Sequence, residues 1–148
     1  MNKTEILKFI GNLPALVLTT MNGDAPDTRA LINIRNAGIA PHLVEFFANT
    51  NRILFITNTS SDKIKQIRAN SSASLYGYDN NWTGLTLAGT IHEITDSETI
   101  DALWDDSWKN YYPDGKDGGD FSVLEFIPKN FKHYDGANGF VKTNGTVE

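Results

Sequence analysis

Apolar positions in this chain recur with two different periods, and the alternation between them predicts the order of its elements. Ile6, Leu7, Phe9 and Ile10 share one helical face between Lys3 and Asn12, with Thr4 as a cap and Gly11-Asn12 as a stop. Ala15 to Thr20 is a partly β-branched apolar run, closed by Asn22-Gly23-Asp24 and answered by Thr28 to Arg35, the pattern of a hairpin. In the second strand, period two sets Arg29, Leu31, Asn33 and Arg35 on one face and Ala30, Ile32 and Ile34 on the other. One face is apolar and the other carries two arginines.

Further along, Pro41, Leu43, Phe46 and Phe47 fit a short helix, and Arg52 to Asn58 a strand. A hydroxyl-rich turn, Thr57 to Ser61, leads into a helix from Asp62 to Asn70 with Ile64 and Ile67 on one face. Ala73 to Tyr78 and Gly84 to Thr95 are strands joined by the turn Asp79 to Trp82. Asp96 or Ser97 caps a helix whose apolar stripe is Ile100, Leu103 and Trp104, extending to Trp108. Phe121 to Pro128 and Lys132 to Gly136 are closing strands, and residues 137–148, rich in Gly, Asn and Thr, form a loose tail. The whole predicts one domain over residues 1–148, mainly β in an α+β arrangement, with an antiparallel barrel and a few peripheral helices.

The stretch Phe55 to Ile67 carries the first chemical signal. A strand that turns through Ser and Thr into a helix start gathers unpaired backbone N–H groups. The hydroxyls of Ser60 and Ser61 and the ammonium of Lys63 make it a candidate phosphate site. The same residues also suit an ordinary cap, with Asp62 in the first turn. Charge bears on the choice. The chain carries −5 overall, yet Arg29 to Arg68 holds six basic residues against Glu45 and Asp62, a local +4. That balance disfavours nucleic acid and anionic membrane as partners and suits a small anionic ligand, and Arg29 on its strand either points at solvent or presents its fork to a phosphate.

Composition removes other chemistries. There is no cysteine, so disulfides, thiolate metal sites and a cysteine nucleophile are excluded. No apolar run is long enough for a transmembrane helix, and the N-terminus lacks a signal-peptide core, so a cytoplasmic location is expected. His42, His92 and His133 share no metal-ligand spacing, the acids Asp101, Asp105 and Asp106 fit a solvated helix face, and Asp114 to Asp120 lacks the spacing of a calcium loop. No dinucleotide, Walker or nucleophile-elbow motif occurs. Redox or transfer chemistry here must come from a bound organic cofactor.

Phe55-Ile56-Thr57-Asn58 followed by Ser61-Asp62-Lys63, with the upstream Arg29-Ala30-Leu31-Ile32, resembles the FMN-binding pattern of pyridoxamine 5'-phosphate oxidase-like split barrels. Leu87-Ala88-Gly89, Leu103-Trp104, Tyr111-Tyr112-Pro113 and Val123-Leu124 extend the similarity over most of Ala15 to Tyr134, toward the general-stress-protein branch. The resemblance implies an FMN-binding split barrel, a homodimer with flavin at the interface and a small-molecule substrate. It implies that Arg29, Ser61 and Lys63 hold the flavin phosphate. Ala30, Leu31, Ile56 and Thr57 would line the ring system, with Ile32 among the cofactor-binding residues.

Asp62 stands where relatives often have a basic residue, leaving Arg52 or Lys65 as compensating cations. The C-terminal Trp-Arg and Arg-x-His segments of the true oxidases have no counterpart, so vitamin B6 oxidation is not implied. A flavin-dependent oxidoreductase and a non-catalytic flavin binder or sensor both follow from the resemblance. Haem has no axial histidine on the motif strands, whereas a deazaflavin fits the same barrel. Trp82, Trp108, Tyr111 and Tyr112 are candidates for the rim of an open flavin face, or for core and interface packing.

Overall fold

The computed structural model describes Met1–Glu148. Its strands are β1 (Ala15–Asn22), β2 (Ala25–Ile32), β3 (Ile53–Asn58), β4 (Ser72–Tyr78), β5 (Gly84–Ile94), β6 (Phe121–Asp135) and β7 (Val141–Thr146). Helices α1 (Lys3–Gly11), α2 (Val44–Ala48), α3 (Asp62–Ala69) and α4 (Ser97–Leu103) are joined by short 3-10 turns at Pro41–Leu43, Asp106–Asn110 and Gly136–Asn138. Every strand pairing is antiparallel, in the order β2-β1-β4-β5-β6-β3, and β7 adds to β6. The sheet begins with β2 and ends with β3, which do not pair with each other, so the barrel is split between them.

The long strand β6 organises the closure. Along one edge it pairs with β5, while its other edge serves β3 over Phe121 to Phe126 and β7 over Asn130 to Asp135. The sequence divides this element in two because Pro128 removes an N–H. The chain accommodates Pro128 at a bulge, where the β5–β6 register shifts between Ala88 and Gly89. A side chain at Gly89 would put its Cβ 2.0 Å from the Ile127 carbonyl oxygen, so only glycine fits that crossing.

Residues 141–146, expected to be part of a loose tail, form β7. Their weak apolar content hides a strand that is held by its ladder to β6, not by burial. The opening helix is also capped differently. Asn2, not Thr4, is the N-cap: its side chain accepts from the Glu5 N–H at 3.0 Å while Glu5 accepts from the Asn2 N–H at 2.7 Å, a reciprocal capping box.

Two apolar clusters flank the sheet. The larger fills the barrel with Leu16, Leu18, Leu75, Leu85, Leu87, Ile91, Leu124 and Phe126, closed by Ile6, Leu7 and Ile10 of α1 and by Ile64 and Ile67 of α3. The smaller packs Ile34, Leu43, Phe47, Leu54, Leu103, Tyr112, Phe121 and Val123 outside β3 and β6. Because Leu54 and Val123 face this second cluster while Phe55 and Leu124 face the first, β3 and the first half of β6 carry apolar side chains on both faces, as the run Ile53 to Ile56 and the pair Val123-Leu124 require.

Candidate functional site

The turn between β3 and α3 is built by a carboxylate sixty residues away. Asp120 accepts from the Ser60 N–H at 2.9 Å and from Asn58 Nδ2 at 2.7 Å, and its own carbonyl accepts from the Thr59 N–H at 2.8 Å. The Thr59 and Ser122 hydroxyls also bond. These contacts hold the Asp120 carboxyl below the usual range, chiefly through the Asn58 amide.

With the turn fixed in this way, Ser61 occupies the N-cap position of α3, yet its side chain caps nothing. Its Oγ accepts instead from Lys63 Nζ at 3.1 Å, and Lys63 also donates to Thr57 Oγ1 at 2.8 Å. Lys63 meets no carboxylate. Burial, and then the nearby charge of Arg29, push its pKa down. An ammonium and a guanidinium close enough to repel, beside the Thr57 and Ser61 hydroxyls and at a helix start, form a donor set that fits a phosphate.

Arg29 reaches this point from β2. Its Nη1 donates to Thr20 Oγ1 at 2.7 Å and more weakly to the Leu18 carbonyl at 3.4 Å. Its Nη2 donates to Gln66 Oε1 at 3.1 Å and pairs with Asp27 at 3.2 Å. Gln66, buried on α3, completes the ring by accepting from Thr20 Oγ1 at 2.6 Å and donating to Asp27 at 2.8 Å. The strand alternation read from the sequence is present over Arg29 to Ile32, but the arginine face is the inner one. Arg29 is half-buried and Leu31 buried, whereas Ile32 on the apolar face is 62% exposed.

That exposure has a use. Ala30, Leu31 and Ile32 of β2 and Ile56, Thr57 and Asn58 of β3 line a common cleft of about 630 Å³ between the two edge strands. Ile34 and Ile39 continue the β2 side, and Ser107, Trp108, Asn110, Tyr111 and Tyr112 form the opposite wall. Each edge strand leaves alternate N–H and C=O groups unpaired, which gives the apolar cleft a rim of hydrogen-bonding backbone. Thr57 joins the cleft to the cationic corner, since its hydroxyl accepts from Lys63.

The structure thus brings Ala30, Leu31, Ile32, Ile56 and Thr57 into one cleft, with Ser61, Lys63 and Arg29 at the Thr57 end. It does not bring Arg52 there. That side chain, at the start of β3, pairs with Glu125 at 2.9 Å and donates to Thr99 at 2.9 Å. Asp62 and Lys65 are exposed on α3. Trp108, Tyr111 and Tyr112 line the cleft, but Trp82 does not. It stacks on Tyr78 at 6.1 Å, and Tyr78 on Tyr76 at 6.0 Å, beside a separate groove lined by Tyr134 and Phe140.

The sequence reading overlooked Thr20, Asp27, Gln66 and Asp120. Gln66 alone carried a signal: it is a polar residue one position before Ile67, on the side of α3 that packs inward. No group of three His, Asp or Glu residues is arranged to hold a metal ion.

A split antiparallel barrel with a cationic corner beside its open seam defines a family. The chain belongs to the pyridoxamine 5'-phosphate oxidase family, whose model matches residues 3–135. Among solved structures, it is similar to a protein from Clostridium acetobutylicum related to general stress protein 26 of B. subtilis, of the pyridoxinephosphate oxidase family. The two are 24% identical with a TM-score of 0.72, over 98% of this chain and 94% of that one. General stress protein 26 from Bacillus anthracis is 17% identical with a TM-score of 0.66, over 88% and 92% of the two chains. A pyridoxamine 5'-phosphate oxidase-related, FMN binding protein from Nostoc punctiforme is 17% identical with a TM-score of 0.62, over 99% and 93%. At these identities the likeness is one of fold. No curated protein matches the chain. No helix is long and apolar enough to cross a membrane.

Proposed function

We propose that this protein binds FMN in the cleft between β2 and β3 and acts as a flavin-dependent oxidoreductase on a small substrate. The observation that carries the reading is Lys63, a half-buried ammonium whose only partners are the hydroxyls of Thr57 and Ser61 and whose charge is opposed by Arg29. A phosphate between these cations relieves their repulsion and accepts from donors already in place. Ala30, Leu31, Ile32, Ile56 and Thr57 then serve as the walls for a planar ring system, with edge-strand N–H groups available to its polar edge.

FMN, when bound, supplies the electron-transfer chemistry that no side chain here offers. The protein's part is to bind, orient and shield. Support for a dimer comes from a face away from the cleft. Tyr78, Trp82 and Phe140 are each more than half exposed, beside Tyr76 and Tyr134, an aromatic surface that a lone monomer rarely leaves open.

One observation favours a second reading, that of a flavin binder or sensor without turnover. The cleft lining contains no carboxylate, imidazole or ammonium. Its only titratable groups are Tyr111 and Tyr112, and burial pushes the Tyr112 phenol up to about 12. No acid or base near neutrality therefore stands in the cleft.

Heating the purified protein and weighing the released ligand tests the main reading. FMN in the wild type, and its loss in both Arg29→Ala and Lys63→Ala, is the expected result. Full occupancy retained in both variants refutes the assigned phosphate corner. Bound FMN without turnover on NADH or NADPH selects the second reading.

A further inference from the structure

The cleft has two chemically different ends. Arg29 and Lys63 lie at one, and on the FMN reading, on which this inference rests, the cofactor's phosphate occupies both cations. The far wall presents the rings of Trp108 and Tyr111 and the neutral amides of Asn58 and Asn110, and none of the residues lining the cleft carries a formal charge. A second anion would find no cation there.

Behind that wall stand carboxylates. Asp105 accepts from the Ser107 N–H at 3.2 Å and so lies one hydrogen bond from a residue that lines the cleft. The Ser107 hydroxyl, and after it the Ser107 N–H, hold the Asp105 carboxyl below its usual range, keeping it ionised. The segment from Asp105 to Asp120 carries five aspartates against two lysines. One of those lysines, Lys116, is paired with Asp101 at 2.7 Å.

We infer that the space against Trp108 and Tyr111 takes a flat conjugated molecule without negative charge and rejects analogues bearing a carboxylate, sulfonate or phosphate. The two aromatic side chains offer ring surface to such a molecule. An anion at the same place gives up hydration without gaining a cation, and it meets the field of the Asp105 carboxylate.

The test uses the FMN-loaded full chain and two probes with one ring system, 2-naphthalenemethanol and 2-naphthoate, followed by equilibrium dialysis. The alcohol is expected to bind about tenfold more tightly than the carboxylate at low salt, with a smaller gap at high salt. Asp105→Asn should raise naphthoate affinity by about threefold and leave the alcohol unchanged. Trp108→Ala should weaken the alcohol. Should Asp105→Asn fail to fold, the salt series still decides the matter. Equal or tighter binding of naphthoate overturns the inference, as does failure of both probes to bind. Flavin absorbance, measured first, keeps the two levels apart. No FMN uptake refutes the cofactor reading, whereas full uptake with naphthoate preferred refutes only this one.

Discussion

Gln66 and Arg29 meet at 3.1 Å, amide oxygen to guanidinium, and this bond fastens helix α3 to the β1–β2 hairpin at the cationic end of the cleft. The amide is fixed in orientation, because its oxygen also accepts from Thr20 and its nitrogen donates to Asp27. Gln66→Leu keeps the volume and removes all three bonds. It is expected to lower stability by about 1–3 kcal/mol, since the buried Thr20 hydroxyl is left without its acceptor. It should also weaken FMN by about tenfold by freeing the Arg29 fork. Urea unfolding and flavin-fluorescence titration measure the two effects, and unchanged FMN affinity would show that Gln66 is only structural.

On the FMN reading, Lys63 trades stability for binding. Burial and Arg29 lower its folded pKa below the ordinary 10.5, so in the ligand-free protein its charge opposes folding at all pH values below that folded pKa. As pH rises from there to 10.5 the unfolded state binds more protons, and wild-type stability gains. Lys63→Met should therefore melt higher than ligand-free wild type at neutral pH, with an advantage that shrinks toward pH 10.5, while binding FMN at least about tenfold more weakly. Melting scans across pH with and without FMN check both halves.

Tyr112 gives the opposite slope. Burial, and secondarily Asp120, hold its phenol protonated up to about 12 in the folded protein, against 10.0 ordinarily. Between these values the unfolded state binds fewer protons, so stability falls as pH rises through that window. Tyr112→Phe should flatten this alkaline decline and remove the latest step of phenolate absorbance in a pH titration.

Arg35 is a structural clamp. Its guanidinium donates to the carbonyls of Phe47, Thr50 and Arg52 at 3.2, 3.1 and 2.7 Å and lies 4.7 Å from the Phe47 ring centroid. A lysine cannot reproduce that fork, so Arg35→Lys is expected to cost about 2–3 kcal/mol in urea unfolding, with little change in FMN affinity of the folded fraction.

The charge cluster explains where sequence reading reached and where it stopped. Period two along β2, the Asn-Gly hairpin and the hydroxyl turn before α3 were legible because each is a local pattern. The local +4 was legible too, but its meaning was not. Of those six cations Arg35 serves loop carbonyls, Arg52 pairs with Glu125, Arg68 pairs with Glu93 and Lys65 is exposed on α3, leaving Arg29 and Lys63 at the corner. Which partner a cation takes depends on contacts such as Arg52 to Glu125, seventy-three positions apart, and no local pattern encodes them. The same holds for Asp120, whose grip on Ser60 crosses sixty residues. The strand at Val141 to Thr146 escaped notice because its pairing supplies what its side chains do not.

The seam between β2 and β3 has a further cost outside chemistry. Two strand edges with unpaired backbone and an outward Ile32 face each other across an open slot, the kind of surface on which a foreign strand can add. Whatever molecule fills the slot also caps those edges. On the FMN reading, emptying it would expose the part of the barrel most ready to recruit another chain, and the bound cofactor would guard against such pairing as well as supply reactivity.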